Sequence, residues 1–211
     1  MGFNNYDGSK YFNIIGGKFT QRVAEGTPDA VNRINKEGKS VWELQHDSFT
    51  GKLVDIKTQD GAYGKNWLFC FRDKEDTYNL QLGYSNGYSV ALLKMLPNID
   101  VTKEFKVSPK SETVDGKIQT SLFINQDGKP IKHAYTKAEP NGLPQWEQIT
   151  VKGQQVWDST KQLVFLENMV NSTILPKLGG TTVSAESDKA NKDFDEFNNP
   201  VTTEGDSDLP F

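Results

Sequence analysis

Apolar and polar residues alternate with a period of two over much of the first 135 positions, the spacing that sets one face of a β-strand on a core and the other in water. Residues 11–23 (YFNIIGGKFTQRV) read as a strand broken or bulged at Gly16-Gly17. Residues 24–40 hold Gly26, Pro28 and Gly38 among several charges and read as a long loop with room for one helical turn. Residues 41–45 (VWELQ) suggest a second strand, and residues 49–58 (FTGKLVDIKT) a third, with Gly51 marking a sharp bend or bulge. After a turn over Gln59–Lys65, residues 66–72 and 77–84 form two strands joined by the charged turn Asp73-Lys74-Glu75-Asp76. Residues 88–96 (YSVALLKML) form a short helix stopped at Pro97. Residues 103–108 and 116–125 are two more strands, and Asp127-Gly128 turns the second into 130–135.

Three strands, a short helix and two strands is the order of the OB-fold, a five-stranded, partly open Greek-key barrel. The chain is therefore expected to be mainly β. An N-terminal arm and strand extension occupy 1–40, residues 1–10 being a short mobile arm. An OB-fold body with its C-terminal helix occupies 41–178, and a tail 179–211. Residues 136–158, with Pro140, Gly142, Pro144 and Gly153, read as an ordered extension of the body. The helix spans 159–175. Ser159 and Gln162 form a capping box there, and Leu163, Leu166, Val170 and Ile174 make an apolar face.

The faces of the strands sort the 23 aromatic rings. Trp67, Phe69 and Phe71 share one face; if Phe71 pairs with Tyr78, Leu80 and Leu82 join them in a barrel interior. Phe123 differs, because Ile118, Leu122 and Ile124 point inward against Gln119, Ser121, Phe123 and Asn125. A lone ring on the polar side of a strand is either covered by an extension or open to a ligand. Bases stack on such rings while Lys and Arg line the groove for phosphates. The candidate contacts on that basis are the rings Tyr63, Trp67, Tyr78, Phe123 and Tyr135, with Lys52, Lys57, Lys65, Arg72 and Lys132 for the backbone.

Charge sharpens this division. Residues 186–211 carry eight acids against two bases, net −6; the whole chain is −4, so residues 1–185 are at +2. The mean hydropathy of −0.63 is low, largely because of this end. An acidic run rich in Gly, Asn, Ser and Thr cannot bury enough apolar surface to offset its ordering entropy and is expected to be disordered. It closes on Asp206-Ser207-Asp208-Leu209-Pro210-Phe211. Acids, one aromatic anchor and a carboxylate make a docking peptide for a basic pocket.

This ending resembles the C-terminal tip of bacterial and phage single-stranded DNA-binding proteins, an acidic run closed by Ile-Pro-Phe. Leu209 stands for the Ile, and Ser207 interrupts the acids. Asn141-Gly142-Leu143-Pro144, Val151-Lys152-Gly153 and Val156-Trp157-Asp158 also resemble the phage-encoded members, whereas the strands show no clear match to the bacterial core. The resemblance implies a protein that coats single strands in replication, recombination or repair. It also implies recruitment of partner proteins through Asp206, Asp208, Leu209, Pro210 and Phe211.

Other classes find less in the chain. His46 and His133 are isolated, the lone Cys70 has no metal-ligand companion, and the glycines form no phosphate loop before a helix. No catalytic residue, metal or cofactor is expected. One cysteine, no apolar run long enough for a bilayer and a polar start predict a cytoplasmic protein without membrane attachment. The oligomeric state stays open, a homo-oligomer included. Two rivals remain: a carbohydrate-binding β-module and an acidic-tailed adaptor whose rings are all core.

Overall fold

The computed structural model describes residues 10–35, 37–61 and 64–179. The expectations for the start of the chain, for Tyr63 and for residues 180–211, with Asp206, Asp208, Leu209, Pro210 and Phe211, lie outside the described residues.

Ten strands form one large sheet: β1 (Lys10–Ile15), β2 (Lys18–Val23), β3 (Val31–Ile34), β4 (Ser40–His46), β5 (Phe49–Gly61), β6 (Gly64–Asp73), β7 (Asp76–Gly83), β8 (Glu104–Val114), β9 (Lys117–Gln126) and the short β10 (Lys129–Pro130). Helix α1 (Gly87–Met95) lies between β7 and β8. The hairpin β11 (Glu147–Val151) and β12 (Gln154–Asp158) forms a sheet of its own ahead of α2 (Thr160–Met169). The spatial order is β10-β9-β8-β5-β6-β7-β1-β2-β4-β3.

Closing β5 to β9 into a five-stranded barrel would require the end strands β7 and β9 to pair. β1 takes that edge of β7 instead, in parallel, through Lys10↔Tyr78, Tyr11↔Asn79 and Phe12↔Leu80. The expected five-stranded, partly open barrel is therefore replaced by an open, curled sheet. The curl is tight enough to bring the β1–β2 turn onto β8. Gly17, at φ +78, approaches the backbone of Lys110 and Ser111 so closely that a Cβ would collide with the Ser111 nitrogen. The Tyr88 hydroxyl donates to the Lys110 carbonyl across the same seam, 3.0 Å.

Inside the curl lies an apolar core. Phe71 pairs with Tyr78, Phe69 with Leu80 and Trp67 with Leu82, so one face of β6 and β7 is continuous. Leu53 and Ile56 of β5, Phe105 and Val107 of β8, and Phe12, Ile14 and Phe19 of β1 and β2 complete it. Leu92 and Leu93 of α1 cover one end, with Leu166 of α2 and Val170 and Ile174 beyond it.

Several elements depart from the sequence pattern. Of the two expectations at Gly16-Gly17, the break holds and the bulge does not: both residues are at positive φ in a hairpin turn between β1 and β2. The expected loop 24–40 contains β3, which pairs with β4 through Val31↔Glu43 to Ile34↔Ser40. On β5 the register shifts between Leu53 and Asp55 and not at Gly51, whose missing side chain leaves room for the Phe49 ring. The capping box at α2 does not form. Asp158 Oδ1 accepts from the Thr160 amide, 2.9 Å, and Ser159 makes no side-chain cap bond. Gln162 instead holds the preceding segment, donating to the Pro144 carbonyl and accepting from the Trp146 indole, both at 3.0 Å. Beyond Met169 the chain runs on as a π-helical turn, Val170–Ile174, and a 3-10 turn, Leu175–Leu178. No described helix is long and apolar enough to cross a membrane.

Candidate nucleic-acid interface

Alternation along a strand decides which side chains point away from the core, and cross-strand register decides which of them become neighbours. On the outward side of β9, β8, β5 and β6 the rows are Ser121 beside Lys110, then Phe123 beside Ser108. Asn125, Lys106 and Thr50 form the next row. Glu104, Lys52 and Arg72 form the last. Lys110, Lys106, Lys52 and Arg72 are all exposed, and Glu104 is the one acid among these rows. Successive rows are about 6.8 Å apart along the strands, so the patch runs for about 20 Å.

Phe123 stands in this patch with 49 % of its surface exposed. The Lys110 ammonium lies over the ring, 5.4 Å from its centroid, a cation–π contact that sets a positive charge against the aromatic surface. Two shallow depressions flank Lys106. Thr50, Lys52, Lys103 and Asn125 line one, and Lys18, Ser108 and Lys110 line the other. Lys103 is bridged to Asp127 at 2.9 Å and Lys18 to Asp47 at 2.8 Å, which lowers the positive field at both rims.

Of the residues singled out from the sequence, Phe123, Lys52 and Arg72 come together here. Lys57, further along β5, is half-buried with Asp55 at 3.4 Å. Trp67 is 2 % exposed, its indole N–H donating to the Tyr84 carbonyl at 3.2 Å and its ring stacked on Tyr84. A ring so enclosed has no face for a base, so Trp67 is a core residue. Tyr78 packs on Phe12 and Phe49, with Lys10 over its ring. Tyr135 meets Phe165 edge-on at 5.6 Å against the core. Lys132 is exposed in the segment after β10, its carbonyl accepting from the Asn98 side chain at 3.0 Å.

Lys65 has a structural task as well. Its ammonium lies 2.7 Å from Glu167 of α2 and 4.7 Å from the Tyr84 ring centroid, and the Tyr84 hydroxyl donates to the same carboxylate at 2.6 Å. Burial alone would raise the Glu167 pKa, but the bonds from Lys65 and Tyr84 outweigh it and hold the carboxyl below its ordinary value. Burial first, then Glu167, pushes the Tyr84 phenol up. This cluster ties α2 to the ends of β6 and β7.

Lys106 and Lys110 escaped the sequence reading. The signal was present: Phe105, Val107 and Pro109 alternate with Lys106, Ser108 and Lys110. The strand expected over 103–108 contains Lys106 but stops short of Lys110, beyond Pro109. In the structure β8 continues through Pro109 to Val114.

Among the described residues no group of three or more His, Cys, Asp or Glu is placed to hold a metal ion. No family model matches the chain, and no curated protein or solved structure matches it either.

Proposed function

We propose that the protein binds single-stranded DNA without sequence preference, as a non-catalytic coat for strands exposed in replication or recombination. The observation that carries this reading is Phe123, an open ring on a polar strand face among Lys110, Lys106, Lys52 and Arg72. A base stacks on the ring and the cations take the flanking phosphates. One open ring on a face with four exposed cations favours a polyanion over a neutral sugar, which would use several rings and few charges.

The strand order supports the same reading. β5, β6, β7, α1, β8 and β9 follow the succession of an OB-fold, with β5 paired to both β6 and β8. OB-folds bind oligonucleotides on the face of their second and third strands and at the loops joining strands one to two and four to five. The corresponding outward face of β6 and β7 is closed in this protein: Leu68, Cys70, Asn79 and Gln81 are 5 %, 7 %, 5 % and 0 % exposed. The proposed path therefore shifts to β9, β8 and β5, beside the β8–β9 hairpin. The acidic end of the chain, through Asp206, Asp208, Leu209, Pro210 and Phe211, recruits partner proteins in this reading.

Fluorescence anisotropy with labelled oligo-dT, duplex DNA and a neutral polysaccharide tests the proposal. Single strands should bind well above the other two. The log–log salt slope should be about −3, from four phosphate contacts at about −0.7 each. Equal affinity for duplex, or no salt dependence, refutes it.

A further inference from the structure

Among the described residues the β11–β12 hairpin pairs with no other strand, and nine of its ten strand residues are exposed. A two-stranded hairpin is marginal in water unless something packs on it. Its register, Glu147↔Asp158, Ile149↔Val156 and Val151↔Gln154, puts those six side chains on one face. From base to tip that face carries two acids, then Ile149 and Val156, then Val151 and Gln154, and the turn beyond bears Lys152. Ile149, Val151 and Val156 are 38 %, 46 % and 38 % exposed.

This pattern is complementary to itself. Two such faces laid together about a two-fold axis set the base of one hairpin over the tip of the other. Ile149 and Val156 then meet their own copies at the centre. At each end Lys152 of one chain lies by Glu147 and Asp158 of its partner. A nucleic acid would meet an acidic base here, which argues against a strand of DNA as the occupant. Glu147 already holds Lys161 at 2.8 Å, but both side chains are more than half exposed, and such surface pairs exchange at little cost. We propose that this hairpin face is a homodimer contact, its occupant a second copy of the same chain.

Five-residue strands span about 17 Å, so the contact falls well short of the roughly 800 Å² per partner of a standard interface. The dimer is accordingly expected to be weak and concentration-dependent.

Sedimentation velocity of the full chain over a concentration series tests this, with no DNA present. Wild type should pass from monomer to dimer. Glu147→Lys and Lys152→Glu should each weaken the dimer by about tenfold, since each places like charges at both ends. An equimolar mixture of the two variants should restore association, because both end pairs become opposite again. Circular dichroism melts should match wild type, as the changes are at exposed sites. A chain that stays monomeric to about 1 mM, a dimer unaffected by either change, or a mixture that fails to recover overturns the proposal. So does a dimer that appears only when residues 180–211 are removed, which would make that segment the occupant.

Discussion

Replacing Phe123 by Ala separates a ligand platform from a packing residue. The ring is 49 % exposed. Full burial of a Phe is worth up to about 3 kcal/mol, so its loss from a half-exposed site costs about 1 kcal/mol of stability. For a domain of this size that lowers the thermal midpoint by about 2–4 °C. A ring that stacks a base contributes about 1–3 kcal/mol to binding, so affinity for oligo-dT should fall between about 5-fold and 150-fold. Phe69→Ala is the matched control. That ring is 0 % exposed, faces the core, and should cost about 3–5 kcal/mol of stability while leaving the affinity of the folded fraction unchanged. Thermal midpoint and anisotropy, measured on one preparation of each variant, give both numbers. If Phe123→Ala destabilises like a core change yet binds oligo-dT within about twofold of wild type, the platform reading is wrong.

Lys106→Ala should weaken binding to all single strands alike and make the salt slope shallower by about 0.7, as measured by titration at several salt concentrations. The Glu167 carboxyl is more acidic folded than its ordinary 4.5, so it contributes stability above that value that is lost as pH falls through the lower folded one. The gap in thermal midpoint between wild type and Glu167→Gln should therefore be full at neutral pH and shrink below about pH 4.5; a gap constant down to about pH 3 would mean that the carboxylate charge is not what holds α2. Deleting residues 193–211 removes six acids and no base, and should tighten single-strand binding, most at low salt. Deleting Phe211 alone should leave DNA affinity nearly unchanged but abolish recovery of replication proteins in a pull-down; equal recovery by both truncations and the full chain would leave the end of the chain without a docking role.

Alternation alone determined a good deal of this protein. It located the strands between Val41 and Asn125, but read β11 and β12 as part of an extension and expected 130–135 where β10 is only Lys129–Pro130. The Phe71–Tyr78 pairing, the condition for a shared interior face, is the one the structure has. It set Phe69 and Phe71 inside and Phe123 outside, because period-two patterning records which face of a strand meets the core. It located α1 ahead of Pro97 and α2 from its apolar spacing, though α2 ends at Met169 and not at 175. Alternation says nothing about which strand lies next to which. The parallel pair of β1 with β7 joins residues more than sixty positions apart, and it alone leaves the sheet open where strand order implied a barrel. The same limit governed the site. Whether Trp67 at a strand end is covered depends on Tyr84 stacking against it, and whether Lys65 is available depends on Glu167 arriving from α2. A lysine carries no local mark of its partner, so Lys65 and Lys106 look alike in the chain. Only the tertiary fold ties the first into a clamp and sets the second one row from Phe123.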